Sequence, residues 1–234
     1  MLLFYSPGAC SLAEIILFQW LDQPHRLCRV SRDERKGPVY RAAVNAHGQV
    51  PVLVEGDRVL TENAAILLLL GDRHPRAGML PAPGTPARYD LYRWLSWLDS
   101  GFHGAHSPVF APQRFHPDES EHDRVRALAR DTVRGQVAIL DAHLADRSHV
   151  LFDHRNLLDA YVFAMARWSE ESLDYAQNFP HVARFLAEMR TDPGVAAALS
   201  IESGDLDSGG PLRGHVAWAD ALDDAGRLRA DLGR

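Results

Sequence analysis

The spacing of apolar residues changes character along this chain. Up to about residue 71 they come in short runs and alternations, and beyond residue 86 they recur at three- and four-residue intervals. Leu2–Tyr5 is an apolar run of strand length, broken by Pro7-Gly8, after which Leu12, Ile15, Ile16, Trp20 and Leu21 follow helical spacing. His25–Ser31 predicts a weaker second strand carrying Cys28, and Pro38–Val44 a short helix. Val50–Val54 and Arg58–Leu60 flank Glu55-Gly56-Asp57, the pattern of a hairpin. A helix begins at Glu62 and runs to Gly71, with Thr61 or Asn63 as its cap. Strands and helices in this order predict a small α/β domain.

The stretch His74–Pro86 is dense in Pro and Gly and predicts a linker. Strand signals nearly vanish after it, and Tyr89–Phe102, His122–Leu144, Leu157–Trp168 and Val182–Met189 are the clearest helical segments. From Glu202 to Pro211 the chain has the make-up of a flexible spacer. Beyond it Trp218, Leu222, Ala225, Leu228 and Leu232 fall at helical spacing, which predicts a short docked helix or a frayed terminus. The expected organisation is therefore an α/β domain over 1–74, a linker over 75–86, an all-helical domain over 87–200 and a C-terminal extension over 201–234.

Composition narrows the class. With 46% hydrophobic and 24% charged residues, the 234-residue chain has the make-up of an ordinary globular protein. A net charge of -6 with no Lys/Arg block argues against nucleic acid as a partner. The apolar run Ala64–Leu70 is too short to cross a bilayer, and the N-terminus has no basic lead or cleavage site of a signal peptide. Cys10 and Cys28 do not make a disulfide framework, so a cytoplasmic protein with reduced thiols and no membrane partner is expected.

Cys10 is the residue with most chemistry to offer. It stands where the first strand turns into the first helix, and unpaired N–H groups and the helix dipole favour an anion there. A thiol so placed ionises readily, and the thiolate is the reactive form; the competing role is a buried structural thiol. Cys10-Ser11-Leu12-Ala13 occupies the place of a Cys-x-x-Cys motif with the second cysteine absent, so any redox cycle needs an external thiol. Ser11 is either the helix cap or a donor to a bound thiolate.

Pro51 interrupts the strand pattern of Gly48-Gln49-Val50-Pro51-Val52-Leu53, where it removes a ladder donor. A cis Val50-Pro51 bond is one solution, leaving the Val50 backbone able to pair with an extended peptide. Thr61-Glu62-Asn63 is either a helix cap or a site for a zwitterionic ligand end, its carboxylate taken by N–H groups and its ammonium by Glu62. His103 and His106 share a helix face, but no carboxylate accompanies them at ligand spacing, so no metal site is expected.

Taken together these residues resemble the cytosolic glutathione transferases, and among them the bacterial beta class with its first-turn cysteine. The resemblance rests on Tyr5–Ala13, Asn45–Leu53, Leu60–Ile66 and His103 with Ser107-Pro108-Val109-Phe110, and it spans roughly residues 1–200. It implies a thioredoxin-like N-terminal domain, an all-α C-terminal domain and a homodimer. It implies a cis peptide at Pro51, with Gln49 and Val50 on the glutathione backbone, and Glu62 and Asn63 on its γ-glutamyl end. Cys10 would face the glutathione sulfur, with Tyr5 and Ser11 as hydroxyl donors to that thiolate and His103 across the site. Lys36 would take the glycine carboxylate. Asn156 and Asp159 match the family's capping box at a buried helix, a folding feature.

The chain also departs from the pattern. Asn63 stands where a small residue is usual, Gly104 where a lysine usually follows the histidine, and His106 where an aromatic is expected; the loop Arg32–Gly37 is shortened. The resemblance implies an enzyme that joins the glutathione thiol to small hydrophobic electrophiles, or exchanges disulfides through Cys10, with glutathione as co-substrate and no other cofactor. Phe102, Phe110 and Phe115 are candidates to line the electrophile site. The alternative is a glutathione-binding module without catalysis, which turnover measured beside affinity distinguishes.

Overall fold

The computed structural model describes residues 1–205, 210–229 and 231–232. Its N-terminal part contains β1 (Leu2–Tyr5), α1 (Leu12–Trp20), β2 (His25–Arg29), α2 (Arg32–Lys36), α3 (Pro38–Ala43), β3 (Val52–Glu55), β4 (Arg58–Thr61) and α4 (Asn63–Arg73). The expected strands and helices are all present, with ends shifted by a residue or two. The addition is α2. Ser31 Oγ accepts the Glu34 N–H at 3.1 Å and the Glu34 carboxylate accepts the Ser31 N–H at 2.6 Å, so a capping box makes one helical turn from an almost wholly charged stretch. That turn has no apolar residue to give it periodicity, and a loop is what its sequence predicts.

β1 is central in the sheet, parallel to β2 and antiparallel to β3, with β4 completing the hairpin. Alternation along the strands sends Leu2, Phe4, Cys28, Val30, Val52 and Val54 to one face, where Tyr40 and Val44 at α3 close a buried cluster. α1 is buried along most of its length and is accordingly apolar all round.

Two compact units divide the chain differently from its linear order: one comprises Met1–Ala77 with Arg190–Arg234, the other Gly78–Met189. The reason lies in α11 (Pro193–Ser203), which packs on α1. Trp20 Nε1 donates to Asp192, the N-cap of α11, at 2.8 Å. A Cβ at Gly194 would come within 2.7 Å of the Trp20 ring, so only glycine lets the two helices approach this closely.

Among the described residues, the docked helix offered as one reading of Trp218–Leu232 is not formed. Leu212–His215 forms β5, a fifth strand parallel to β2, and Trp218–Ala221 makes a 3₁₀ turn. The edge of β2 offers unpaired backbone groups that a strand satisfies and a helix cannot; the Val216 N–H, for instance, donates to Leu27 O at 2.8 Å. Asp223 then reverses the chain, its carboxylate accepting the N–H groups of Ala225 and Arg227 at 2.9 Å each, with Gly226 at φ 71°. Of the expected spacer, Glu202 and Ser203 finish α11 and Gly204 caps it in the left-handed conformation; residues 206–209 lie outside the described residues.

The second unit holds α5 (Pro86–Trp97), a π-helical segment Leu98–His103, α6 (Gly104–Phe110), α7 (His122–His143), α8 (Leu157–Ala166), α9 (Tyr175–Asn178) and α10 (Pro180–Thr191) up to Met189. Every residue of α8 is buried, and its start carries the capping box read from the sequence. The Asp159 carboxylate accepts the N–H groups of Asn156 at 2.9 Å and Val150 at 2.7 Å, and His149 Nδ1 lies 3.0 Å from it. That bond and the carboxylate's charge raise the His149 pKa. Among the described residues no helix is long and apolar enough to cross a membrane.

Candidate functional site

Cys10 lies in the turn between β1 and α1, just before the N-cap Ser11. It is 6% exposed, and its Sγ donates to the Val50 carbonyl at 3.7 Å. The Val50–Pro51 peptide is cis, as the resemblance implied. The Gln49 carbonyl is held by two donors, Tyr40 Oη at 2.9 Å and Asn45 Nδ2 at 3.2 Å, so the Gln49–Val50 backbone is anchored from α3 and from the loop after it. Thiol and loop thus meet within one unit.

Glu62 is the N-cap of α4 at φ 70° and ψ 120°, a left-handed-type backbone uncommon for a residue with a side chain. Its carboxylate is exposed and makes no hydrogen bond or ion pair with the described residues. Asn63 follows at the first helical position rather than as the cap, only 6% exposed, with both amide atoms lacking a partner. An unpaired carboxylate beside an unsatisfied amide, at a helix start rich in N–H donors, is an arrangement suited to the ammonium and carboxylate of a zwitterion.

Arg35 escaped the sequence reading. Its Nη1 donates to the Gly48 carbonyl at 3.1 Å and its Nε is buried without a partner. Burial lowers its pKa, against the charge of Cys10, which raises it. Lys36, the residue expected here, is exposed on α2, and it is Arg35 that reaches the Gly48–Gln49 backbone. Helical phase decides between adjacent basic residues, and a loop reading carries no phase.

Tyr5 and Ser11 flank the thiol in sequence. Both are fully buried. The Ser11 hydroxyl accepts the Ser6 N–H at 3.3 Å and donates to the Ser6 carbonyl at 3.4 Å, tying the turn together rather than capping α1. The Tyr5 hydroxyl is buried without a partner, and burial raises its pKa.

In the helical unit, His103 is half-buried at the end of the π-helical segment, its ring 5.2 Å from that of Trp168. His106 is 1% exposed and both ring nitrogens are used, Nδ1 at 2.9 Å from Phe102 O and Nε2 at 3.1 Å from Ser169 Oγ. It therefore belongs to the core and not to a ligand pair with His103. Phe102 is likewise core, while Phe110 packs on Trp168 with half its surface exposed and Phe115 is exposed.

The fold and this site define a thioredoxin-like module with a first-turn thiol and a cis-proline loop, joined in the chain to a helical unit. Residues 10–79 match the family model of the Glutathione S-transferase, N-terminal domain. A glutathione S-transferase of Xanthomonas campestris pv. campestris is 31% identical over 202 residues, covering 86% of this chain and 98% of the relative. A solved sphingomonad glutathione S-transferase complexed with glutathione is 34% identical, with a TM-score of 0.78 over 87% of this chain and 100% of that one. The bacterial beta class enzyme of Sphingomonas chungbukensis is 33% identical, with a TM-score of 0.77 over 88% and 100%. This chain belongs to the glutathione S-transferase family, and it resembles bacterial members, the beta class among them.

Proposed function

We propose that this glutathione transferase binds glutathione along β3 and the start of α4 and joins its sulfur to small hydrophobic electrophiles. The observation that carries the binding site is Glu62, held at positive φ with an exposed, unpaired carboxylate beside Asn63. In this reading Glu62 takes the γ-glutamyl ammonium and the N–H groups opening α4 take the neighbouring carboxylate. The Val50 backbone pairs with the cysteinyl residue as an added strand. Arg35, already bonded to Gly48, is the cation for the glycine carboxylate in place of Lys36.

Glutathione so held brings its sulfur to Cys10. Deprotonated, that sulfur attacks the electrophile, forming the carbon–sulfur bond as the leaving group departs with its electron pair. With a disulfide as partner, the Cys10 thiolate attacks one sulfur, forms a mixed disulfide and releases the other thiolate, and a second glutathione regenerates Cys10. In the helical unit, Phe110 and Trp168 offer ring surface of the kind an apolar electrophile needs, beside His103. Reduced Cys10 and Cys28 suit a cytoplasmic protein.

Glu62→Ala is expected to weaken glutathione binding by on the order of 1.5–3 kcal/mol, roughly ten- to a hundredfold, the worth of a hydrogen bond to a charged group. Calorimetric titration of the folded variant measures it, and unchanged affinity would take Glu62 out of the site. Turnover with an aryl halide, run on the same preparation, separates the enzyme from a module that only binds.

We also infer a homodimer. Tyr89 and Tyr92 on α5 and Leu128 and Ile139 on α7 are exposed, and Trp94, Trp97 and Ile139 line an open apolar groove between these helices. So much exposed ring and branched-chain surface in one unit is the mark of an interface, and a two-fold axis would pair it with itself. Light scattering at micromolar concentration should give about twice the 26.1 kDa chain mass. A monomer would show that this surface serves something else.

A further inference from the structure

The residues beyond α11 pack where the glutathione loop is anchored. The Trp218 ring lies 5.6 Å from that of Tyr40 and 6.2 Å from that of Phe4, and Phe4 and Tyr40 are themselves 6.1 Å apart. The three rings form a closed triangle. Its one polar output is the Tyr40 hydroxyl, which donates to the Gln49 carbonyl at 2.9 Å. Val50, the next residue, sits in the same apolar cluster as Ala221 and Leu232, and its carbonyl faces Cys10 Sγ. At the other end of the site Glu202, 8% exposed near the end of α11, accepts the Gly8 N–H at 2.9 Å in the turn that presents Cys10. Both loops of the site are therefore tied to the last part of the chain, one directly through Glu202 and one through Tyr40, and that part lies beyond the segment resembling the family.

We infer that the C-terminal segment braces the glutathione site, with Trp218 a positioning residue that holds the Gln49–Val50 backbone in place through Tyr40. The inference rests on the reading that this backbone meets glutathione. An aromatic ring in a packed cluster keeps its orientation because its neighbours fill the space around it. Without the Trp218 indole the Tyr40 ring borders a cavity on one side, and a hydroxyl that must reach one carbonyl at 2.9 Å is sensitive to a small tilt. Released, the Gln49–Val50 peptide must be ordered by glutathione itself, and that ordering is subtracted from affinity. The chemistry at the sulfur is not touched.

Steady-state kinetics with glutathione and an aryl halide test this on five folded variants. Trp218→Ala should raise the KM for glutathione by about tenfold with kcat at saturation within about twofold, the signature of lost uniform binding. Trp218→Phe should restore most of it. Tyr40→Phe removes only the hydroxyl and should raise KM to a similar degree, and adding it to Trp218→Ala should bring little further change, because both act through one bond. An unchanged KM in Trp218→Ala, or in Tyr40→Phe should the former not fold, overturns the brace. So does a fall in kcat with KM constant. Glu62→Ala separates the two readings: if it raises KM while the Trp218 and Tyr40 variants do not, the glutathione site stands and the brace alone falls. If none of them raises KM, both fall.

Discussion

Cys10→Ala should abolish thiol–disulfide exchange by this protein and leave it unable to carry a glutathione adduct. The argument compares its two cysteines. Cys10 stands in the turn before α1, retains 6% exposure, donates to the Val50 carbonyl and lies within electrostatic reach of Arg35, whose pKa burial lowers. Cys28 is fully buried in β2, and burial pushes its pKa up to about 12, so it remains a thiol at any physiological pH. Oxidised glutathione should therefore add once, at Cys10. With leucine and alanine following Ser11 there is no neighbouring thiol to resolve the adduct, which should persist until a second glutathione arrives. Intact-mass spectrometry should show one glutathione on the wild type and none on the variant. Conjugation forms no bond to the protein and should survive at a reduced rate. What survives is owed to the groups that remain around the glutathione sulfur. An adduct on Cys28, or equal exchange rates in wild type and variant, would end the thiol mechanism.

Acidification should destabilise both units between about pH 6.5 and 4 through their buried histidines, a loss partly offset by Asp99 and Asp159, whose carboxyls burial raises. His25 is stacked on Phe18 at 4.3 Å, 1% exposed, and burial lowers its pKa to about 4, helped by the N-terminus, Arg213 and His215. Burial lowers His106 to about 4 as well, with His103 adding to the effect. In the unfolded chain both imidazoles take up a proton near pH 6.5, whereas in the folded chain they stay neutral until about pH 4. Their contribution is thus fully present above pH 6.5 and lost as the pH falls to 4, by about 3 kcal/mol for each histidine, with no further slope below that. His149 runs the other way: its raised pKa adds stability that is present below pH 6.5 and lost as the pH rises through the folded value, a smaller effect for a partly exposed ring. Urea unfolding at pH 7, 5.5 and 4.5 measures the slope. His25→Phe and His106→Gln remove one titration each, so each should flatten it, and the same slope in the double variant would reject the assignment.

Much of the site was legible because its pieces are local. The turn that carries Cys10 announces itself by Pro7-Gly8 between a strand run and a helical run. The proline problem at Pro51 left a cis peptide as one solution, which the family resemblance then implied, and Glu62-Asn63 pointed to the opening of α4. Arg35 was not legible, because choosing it over Lys36 needs the phase of a helix that no apolar pattern reveals. Tyr5 and Ser11 are buried, which the sequence does not show, because burial depends on residues far along the chain.

The sequence by itself determined the βαβ-like opening, the β3–β4 hairpin, the helical character of the middle of the chain and the Asn156–Asp159 box, since each follows from contacts within a few residues. Tertiary structure alone decided that α11 joins the first unit, because its partner is α1 across some 170 residues, as the bond from Trp20 to Asp192 shows. It also decided the form of the last residues. Helical spacing of Trp218, Leu222, Ala225, Leu228 and Leu232 describes a helix when the chain is considered alone. The open edge of β2 takes Leu212–His215 as a strand, and the apolar face around Phe4 and Tyr40 offers the residues after it burial that an isolated helix does not have, so that Trp218–Ala221 makes a single 3₁₀ turn and Leu222 bridges Leu228.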